Sequence, residues 1–129
     1  MAASAPDKGH ALTVAWSAPE LAKDDPKTFA SDVYALAITA WEVFERLVPF
    51  GNMPEAAVVS QVLAGVRPHL RHTPVDIQEI IKLAWSSEAN VRVAASQFAW
   101  VLSNKLAAEQ DAKPSREDEE RVAVSDERV

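Results

Sequence analysis

The sequence has no cysteine and only three glycines among its 129 residues. The lack of cysteine excludes a disulfide scaffold, an iron–sulfur cluster, a thiolate zinc site and a cysteine nucleophile. The three glycines, Gly9, Gly51 and Gly65, provide few hairpin signals, and no segment has the alternating pattern of a convincing strand. The sequence therefore points away from small secreted scaffolds and from β-rich domains.

Positive charge is also scarce. The chain has 13 Lys and Arg against 19 Asp and Glu, which gives a net charge of −6. This balance argues against a general nucleic-acid binder and against a polybasic membrane binder, so we expect neither partner. The first eight residues lack the apolar core of a signal peptide. We therefore expect a soluble protein in the cytoplasm.

The charge is unevenly distributed along the chain. Residues 109–129 contain four basic and eight acidic residues, and their larger apolar residues are three valines. Such a segment cannot offset its ordering entropy by burial. We predict a flexible N-terminus at 1–10, one domain at 11–108 and a disordered acidic tail at 109–129. A solvated interaction tail is the alternative for the last segment.

The ordered part reads as all-α, with a central apolar helix at about 31–46 surrounded by shorter helices. Ser31 is the expected N-cap of that helix, and Pro49 is expected to end it. Between residues 33 and 44 only Thr39 and Glu42 are clearly polar. A helix that is apolar on nearly all sides has to be surrounded by protein, and this one is too short for a convincing membrane span.

Three further helices are predicted. One begins at Pro54 and stops at Gly65. Another begins near Thr73 and Pro74, and its apolar residues share one face. These residues are Ile77, Ile80, Ile81, Ala84 and Trp85. The last runs from about Ala94 to Ala108, with an apolar stripe at Phe98, Val101, Leu102 and Leu106.

Six ordered motifs resemble the C-terminal part of a protein kinase catalytic domain of the tyrosine-kinase-like group, over roughly residues 11–106. The first resembles the end of the activation segment with its APE triplet, and the second resembles the start of the central helix of that fold. The others resemble the W-E, P-F, G-x-R-P and W-x-x-D-P-x-x-R motifs. In order they are Thr13–Glu20, Lys27–Ala37, Trp41–Val43, Pro49–Phe50, Gly65–Pro68 and Trp85–Arg92.

Three positions depart from the family pattern. Ala37 replaces a helix glycine, and Ala89 and Val93 replace the prolines that usually flank the arginine. Each exchange is small or apolar and is tolerated in a helical context. We interpret them as divergence within the family.

The resemblance implies ATP-dependent phosphorylation of protein Ser/Thr or Tyr, with ATP and magnesium as cofactors of a full-length member. Phosphoryl transfer needs a glycine-rich loop, a strand lysine and two acids, one for magnesium and one for the attacking hydroxyl. No G-x-G-x-x-G, V-A-I-K, H-R-D or D-F-G is present. We therefore predict no catalytic, cofactor-binding or metal residues and no cofactor in this chain, which by itself should be inactive.

Two interpretations of such a chain remain open. It is a piece of a kinase domain, whether a fragment or a truncated gene product, or it is a non-catalytic helical protein-interaction module derived from one. In the first case its partner is the N-terminal part of a kinase domain, and in the second it is another protein. In both cases we expect an exposed apolar patch beside the helix 33–44.

The resemblance also implies structural roles for three residues. Glu20 and Arg92 should form a buried carboxylate–guanidinium pair that ties the activation segment to the late helices. The alternative is that each is an ordinary solvated charge. Asp32 matches the aspartate that braces the catalytic loop in the family, but a first-turn acid favoured by the helix dipole explains it better here.

Thr13, Ala15 and Trp16 match the segment that docks the substrate in the family, although packing is the better interpretation for Trp16. His69 and His72 lie between prolines, which indicates a loop, and no acid is arranged as a third metal ligand. Ser17 lacks the flanking glycines of a nucleophile elbow. Metal binding and hydrolase chemistry are therefore not expected.

Overall fold

The computed structural model describes residues 14–112. Four α-helices follow one another: α1 Phe29–Glu45, α2 Glu55–Leu63, α3 Val75–Ala84 and α4 Ala95–Ala112. Two short 3₁₀ helices lie at Pro19–Lys23 and Ala89–Val91. Residues 14–112 contain no strand, and the all-α prediction is confirmed.

The start of α1 is a capping box centred on Thr28. The Thr28 hydroxyl accepts a hydrogen bond from the Ser31 backbone N–H at 3.3 Å. The Ser31 hydroxyl in turn accepts one from the Thr28 N–H at 2.7 Å. Ser31 is therefore at position N3, and its prediction as the N-cap was wrong by three residues. Serine and threonine both cap helices, and the two reciprocal hydrogen bonds place the N-cap at Thr28.

The end of α1 is set by the backbone of Arg46. Arg46 adopts a left-handed conformation with φ 56°, and its N–H donates to the Glu42 carbonyl oxygen at 2.8 Å. This turn ends the helix at Glu45, four residues before Pro49, so the proline is not the residue that ends it. A non-glycine residue in this conformation is uncommon and has no sequence signature as clear as proline.

The core is built on one side of α1. Its Tyr34, Ala37 and Ile38 side chains are fully buried, and α1 packs against α3. Its opposite side is exposed, with three apolar residues spaced seven apart, Phe29, Leu36 and Val43. The expected exposed apolar side chains are therefore present, but exposed Asp32 and Thr39 lie between them.

Helices α2 and α3 follow the predicted pattern. Gly65 has φ 89° just after α2, a conformation that glycine adopts without strain and that ends the helix as predicted. Ile77, Ile81 and Ala84 of α3 are fully buried, so the predicted apolar face is the core face.

The last helix extends further than predicted. Phe98 is fully buried, but α4 continues to Ala112, and Leu106 is 57% exposed. Leu106 is therefore not a core residue. At 18 residues α4 is also one residue longer than α1, so it is not one of the shorter surrounding helices. Residues 109–112 are helical, and the rest of the predicted tail lies outside the described residues.

No helix in the part of the chain that the structure describes is long and apolar enough to span a membrane.

Candidate functional site

Glu20 and Arg92, which are 72 residues apart, form a two-pronged ion pair. Arg92 Nη1 donates to Glu20 Oε2 and Arg92 Nη2 donates to Glu20 Oε1, both at 2.7 Å. The Arg92 side chain is fully buried, and the Glu20 side chain is 17% exposed. The contact that the resemblance implies is present, between the first 3₁₀ helix and the loop before α4.

Arg92 also holds two backbone segments. Its Nε donates to the Ser86 carbonyl oxygen at 2.9 Å, and its Nη1 donates to the Ala30 carbonyl oxygen at 3.0 Å. One guanidinium therefore joins the first 3₁₀ helix, the first turn of α1 and the segment after α3. The hydrogen bonds from Arg92 hold the pKa of the Glu20 carboxyl below its ordinary value.

A second arginine, Arg67, lies on the other side of the same cluster. The guanidinium carbons of Arg67 and Arg92 lie 5.1 Å and 5.2 Å from the centre of the Tyr34 ring, which is cation–π distance. Arg67 also donates to the Trp85 carbonyl oxygen at 2.8 Å. The sequence marked Arg67 only as part of a motif, and nothing marked Tyr34 as the ring between the two arginines.

The hydroxyl of Tyr34 is buried and has no hydrogen-bond partner among residues 14–112. Burial raises the pKa of this hydroxyl. Tyr34 therefore stays neutral at physiological pH and acts here through its ring.

A buried carboxylate at Glu45 fixes the loop between α2 and α3. It accepts backbone N–H bonds from Arg71, His72 and Thr73 at 2.8 Å each, and the Thr73 hydroxyl donates to it at 2.7 Å. Glu45 is 5% exposed. Burial raises the pKa of its carboxyl, but the donated hydrogen bonds outweigh burial and hold the pKa below its ordinary value. Sequence reasoning missed this site, whose one signal is a charged residue at the end of an apolar helix.

The family model for protein tyrosine and serine/threonine kinases matches residues 2–102. The chain belongs to the protein kinase family. It is 31% identical over 101 residues to the tyrosine-protein kinase-like otk of Drosophila mojavensis, covering 75% of this chain and 10% of that protein. It is 35% identical over 100 residues to the serine/threonine/tyrosine-protein kinase HT1 of Arabidopsis thaliana, covering 74% and 25%. These matches span a quarter or less of the relatives' lengths.

The residues that match the substrate-docking segment of kinases are only partly described. Thr13 lies outside the described residues. Ala15 is buried, and half-buried Trp16 donates from its indole Nε1 to Glu42 Oε1 of α1 at 2.6 Å. Trp16 therefore packs against the domain in this structure, and substrate docking by the three residues stays a prediction.

Asp32 lies in the first turn of α1, the position that a kinase uses to brace its catalytic loop. Its side chain is 58% exposed and lies 3.3 Å from the Lys27 ammonium. The location suits a first-turn acid that interacts with the helix dipole. A bracing role stays untested.

ATP and magnesium, the cofactors of a kinase, do not fit the described residues. Gly51 and Gly65 lie in separate turns and cannot form one phosphate cradle. Residues 14–112 contain no group of three or more His, Asp or Glu side chains that could hold a metal ion. His69 and His72 lie in the loop before α3, where the His69 carbonyl oxygen accepts from Trp41 Nε1 at 2.7 Å. His10 lies outside the described residues.

We expect acid to destabilise the domain through Glu20 and Glu45. Both carboxyls have a lower pKa in the folded chain than the ordinary value of 4.5, so the unfolded chain binds more protons in acid. The two carboxylates therefore stabilise the folded chain above pH 4.5, and this stabilisation is lost as the pH falls through 4.5 and below. Urea unfolding at about pH 7 and about pH 4 should show the loss. A Glu20→Gln/Glu45→Gln variant should lose less stability over this interval, and an equal loss would contradict the assignment.

Proposed function

We propose that this chain is the C-lobe portion of a protein kinase domain and that it neither binds ATP nor transfers phosphate by itself. The observation that carries the first part is the Glu20–Arg92 pair, because the kinase arrangement is the reason for these two side chains to meet. The second part is supported by the missing G-x-G-x-x-G, V-A-I-K, H-R-D and D-F-G motifs. Catalysis of this reaction is positioning and electrostatic stabilisation, so no other residue type replaces these groups.

In this proposal the chain provides a binding surface and no catalytic groups. Thr13, Ala15 and Trp16 contribute the part that lies beside a substrate, and the groups that hold nucleotide come from another polypeptide segment. The exposed side of α1 supports this division, since three apolar side chains at regular spacing are suited to packing against another helix or loop. A cytoplasmic location is part of the same proposal.

A non-catalytic interaction module is the second candidate, and the same exposed side of α1 favours it. Phe29 is 91% exposed and Val43 is 67% exposed, so both side chains are available to pack against a partner. The two candidates differ in what covers this side. In the kinase-portion candidate a kinase-derived segment covers this side of α1, and in the interaction-module candidate an unrelated protein covers it.

Isothermal titration of the purified chain with Mg-ATP tests the inactivity. We expect no saturable heat at micromolar or millimolar nucleotide and no phosphate incorporation into a generic protein substrate. An intact protein kinase titrated under identical conditions is the positive control. A saturable site that persists after repurification would contradict the proposal, because the described residues offer no phosphate cradle for it.

A further inference from the structure

An open groove of about 410 Å³ lies between the end of α1 and the segment that leads into α3. We call it the cationic groove. Its floor is apolar and includes Trp41, Leu47, Phe50 and Met53. Arg67 and Arg71 line the side formed by the 66–71 segment. The combination is suited to an occupant that carries both apolar side chains and negative charge.

The lining residues of this groove carry two positive charges and one negative charge. Glu45 is its one acidic lining residue, and its carboxylate accepts the N–H groups of the 71–73 backbone. Arg67 donates to carbonyl and hydroxyl oxygens, which carry no net charge. Neither Arg67 nor exposed Arg71 forms an ion pair with a carboxylate of residues 14–112. The Arg67 guanidinium already packs on the Tyr34 ring and donates to Trp85 and Ser87, so an acidic ligand would meet one available cation, Arg71.

The chain itself leads an acidic segment to this end of the domain. Lys105 Nζ of α4 lies 3.6 Å from Asp76 Oδ1 in the first turn of α3. Lys105, seven residues before the end of α4, thus lies beside the start of α3, the same end of α3 to which the 66–74 segment is joined. Ala112 is about 10 Å further along the helix axis. Helix α4 therefore leads the chain to the end of the domain to which the 66–74 segment is joined.

The composition of that continuation matches the groove. Residues 117–120 are four consecutive acids, and Val122 and Val124 follow them. Five residues from Ala112 to Glu117 span up to about 17 Å of extended chain. The composition of residues 113–129 predicts that this segment does not fold alone. A segment of this kind can become ordered when it binds a surface of opposite charge.

We propose that residues 117–124 of this chain dock in the cationic groove, with a carboxylate on Arg71 and their valines on its apolar floor. The contact is intramolecular, so a modest affinity suffices at the high local concentration of the tail. It is largely electrostatic, so added salt weakens it.

Paramagnetic relaxation in the full chain tests this docking. Because the sequence has no cysteine, Ser125→Cys carries a single nitroxide label just beyond the docking segment. We expect the Trp41 indole N–H signal in the groove to broaden at least about threefold more than the Val91 amide, and the difference to shrink at about 1 M salt. Val91 precedes α4, at the end of the domain away from Ala112.

Charge-neutral variants of the tail give a matched comparison that leaves the folded domain untouched. Asp118→Asn/Glu119→Gln should reduce the Trp41 broadening by about half or more, because two carboxylates of the docking segment are lost. Asp126→Asn/Glu127→Gln removes equal charge outside that segment and should leave the broadening unchanged. Arg71→Glu should abolish it.

Three results would overturn the proposal. The first is equal broadening of Trp41 and Val91, and the second is an equal effect of the two tail variants. The third is broadening that appears only when spin-labelled chains are mixed with separate isotope-labelled chains, since the occupant would then be the tail of a second copy.

Discussion

Replacing Arg92 with alanine is expected to lower the free energy of unfolding by about 3–5 kcal/mol, the range for breaking a buried ion pair from one side. The Arg92 side chain is fully buried and donates to Glu20, Ser86 and Ala30. Its removal leaves a carboxylate with poor solvation, two unpaired carbonyl oxygens and a cavity beside Tyr34. Urea unfolding followed by far-UV circular dichroism measures the loss.

Two variants separate this effect from general sensitivity to mutation. Arg92→Lys should recover part of the stability, because an ammonium keeps the charge but cannot bind both carboxylate oxygens in the same geometry. Lys27→Ala removes a cation from an exposed pair whose side chains are 72% and 58% accessible, and should cost about 0–1 kcal/mol. An Arg92→Ala variant as stable as the parent would contradict a structural role for the pair.

Replacing Glu45 with alanine is expected to cost about 2–4 kcal/mol, since hydrogen bonds to charged groups contribute about 1.5–3 kcal/mol each and are not additive. The backbone N–H groups of Arg71, His72 and Thr73 lose their acceptor, and the buried Thr73 hydroxyl loses its partner. We expect faster amide hydrogen exchange at these three residues, because the loop is no longer held against α1.

Glu79→Ala on the exposed side of α3 is the matched control for Glu45. It removes the same side chain from a helix without a buried hydrogen-bond partner and should change stability by less than about 0.5 kcal/mol. If both variants unfolded at the same urea concentration, the Glu45 cluster would have no special role in stability.

The parts of the fold that sequence predicts well are those set by local periodicity. The apolar face of α3 follows from Ile77, Ile81 and Ala84 at helical spacing, and Gly65 marks the end of α2. Periodicity does not predict burial correctly where a helix extends past the helix it packs against. Leu106 follows Lys105, which lies beside the first turn of α3, so the helix has little left to pack against.

The candidate site also has features that were predicted before the structure and features that were missed. No local pattern brings Glu20 and Arg92 together across 72 residues, and the family resemblance alone gave the expectation. The Glu45 site was missed because it depends on where a distant loop returns to the helix. The left-handed turn at Arg46 has no strong local signature, so Pro49 was chosen instead as the end of α1.

A double-mutant cycle on Glu20 and Arg92 tests the central claim of a kinase C-lobe arrangement most directly. The parent, Glu20→Gln, Arg92→Ala and the double variant are compared in urea unfolding. The two-pronged 2.7 Å contact predicts a coupling energy of at least about 1 kcal/mol between the two sites. Additive effects within about 0.3 kcal/mol would mean that the side chains do not interact, and the kinase arrangement would be contradicted.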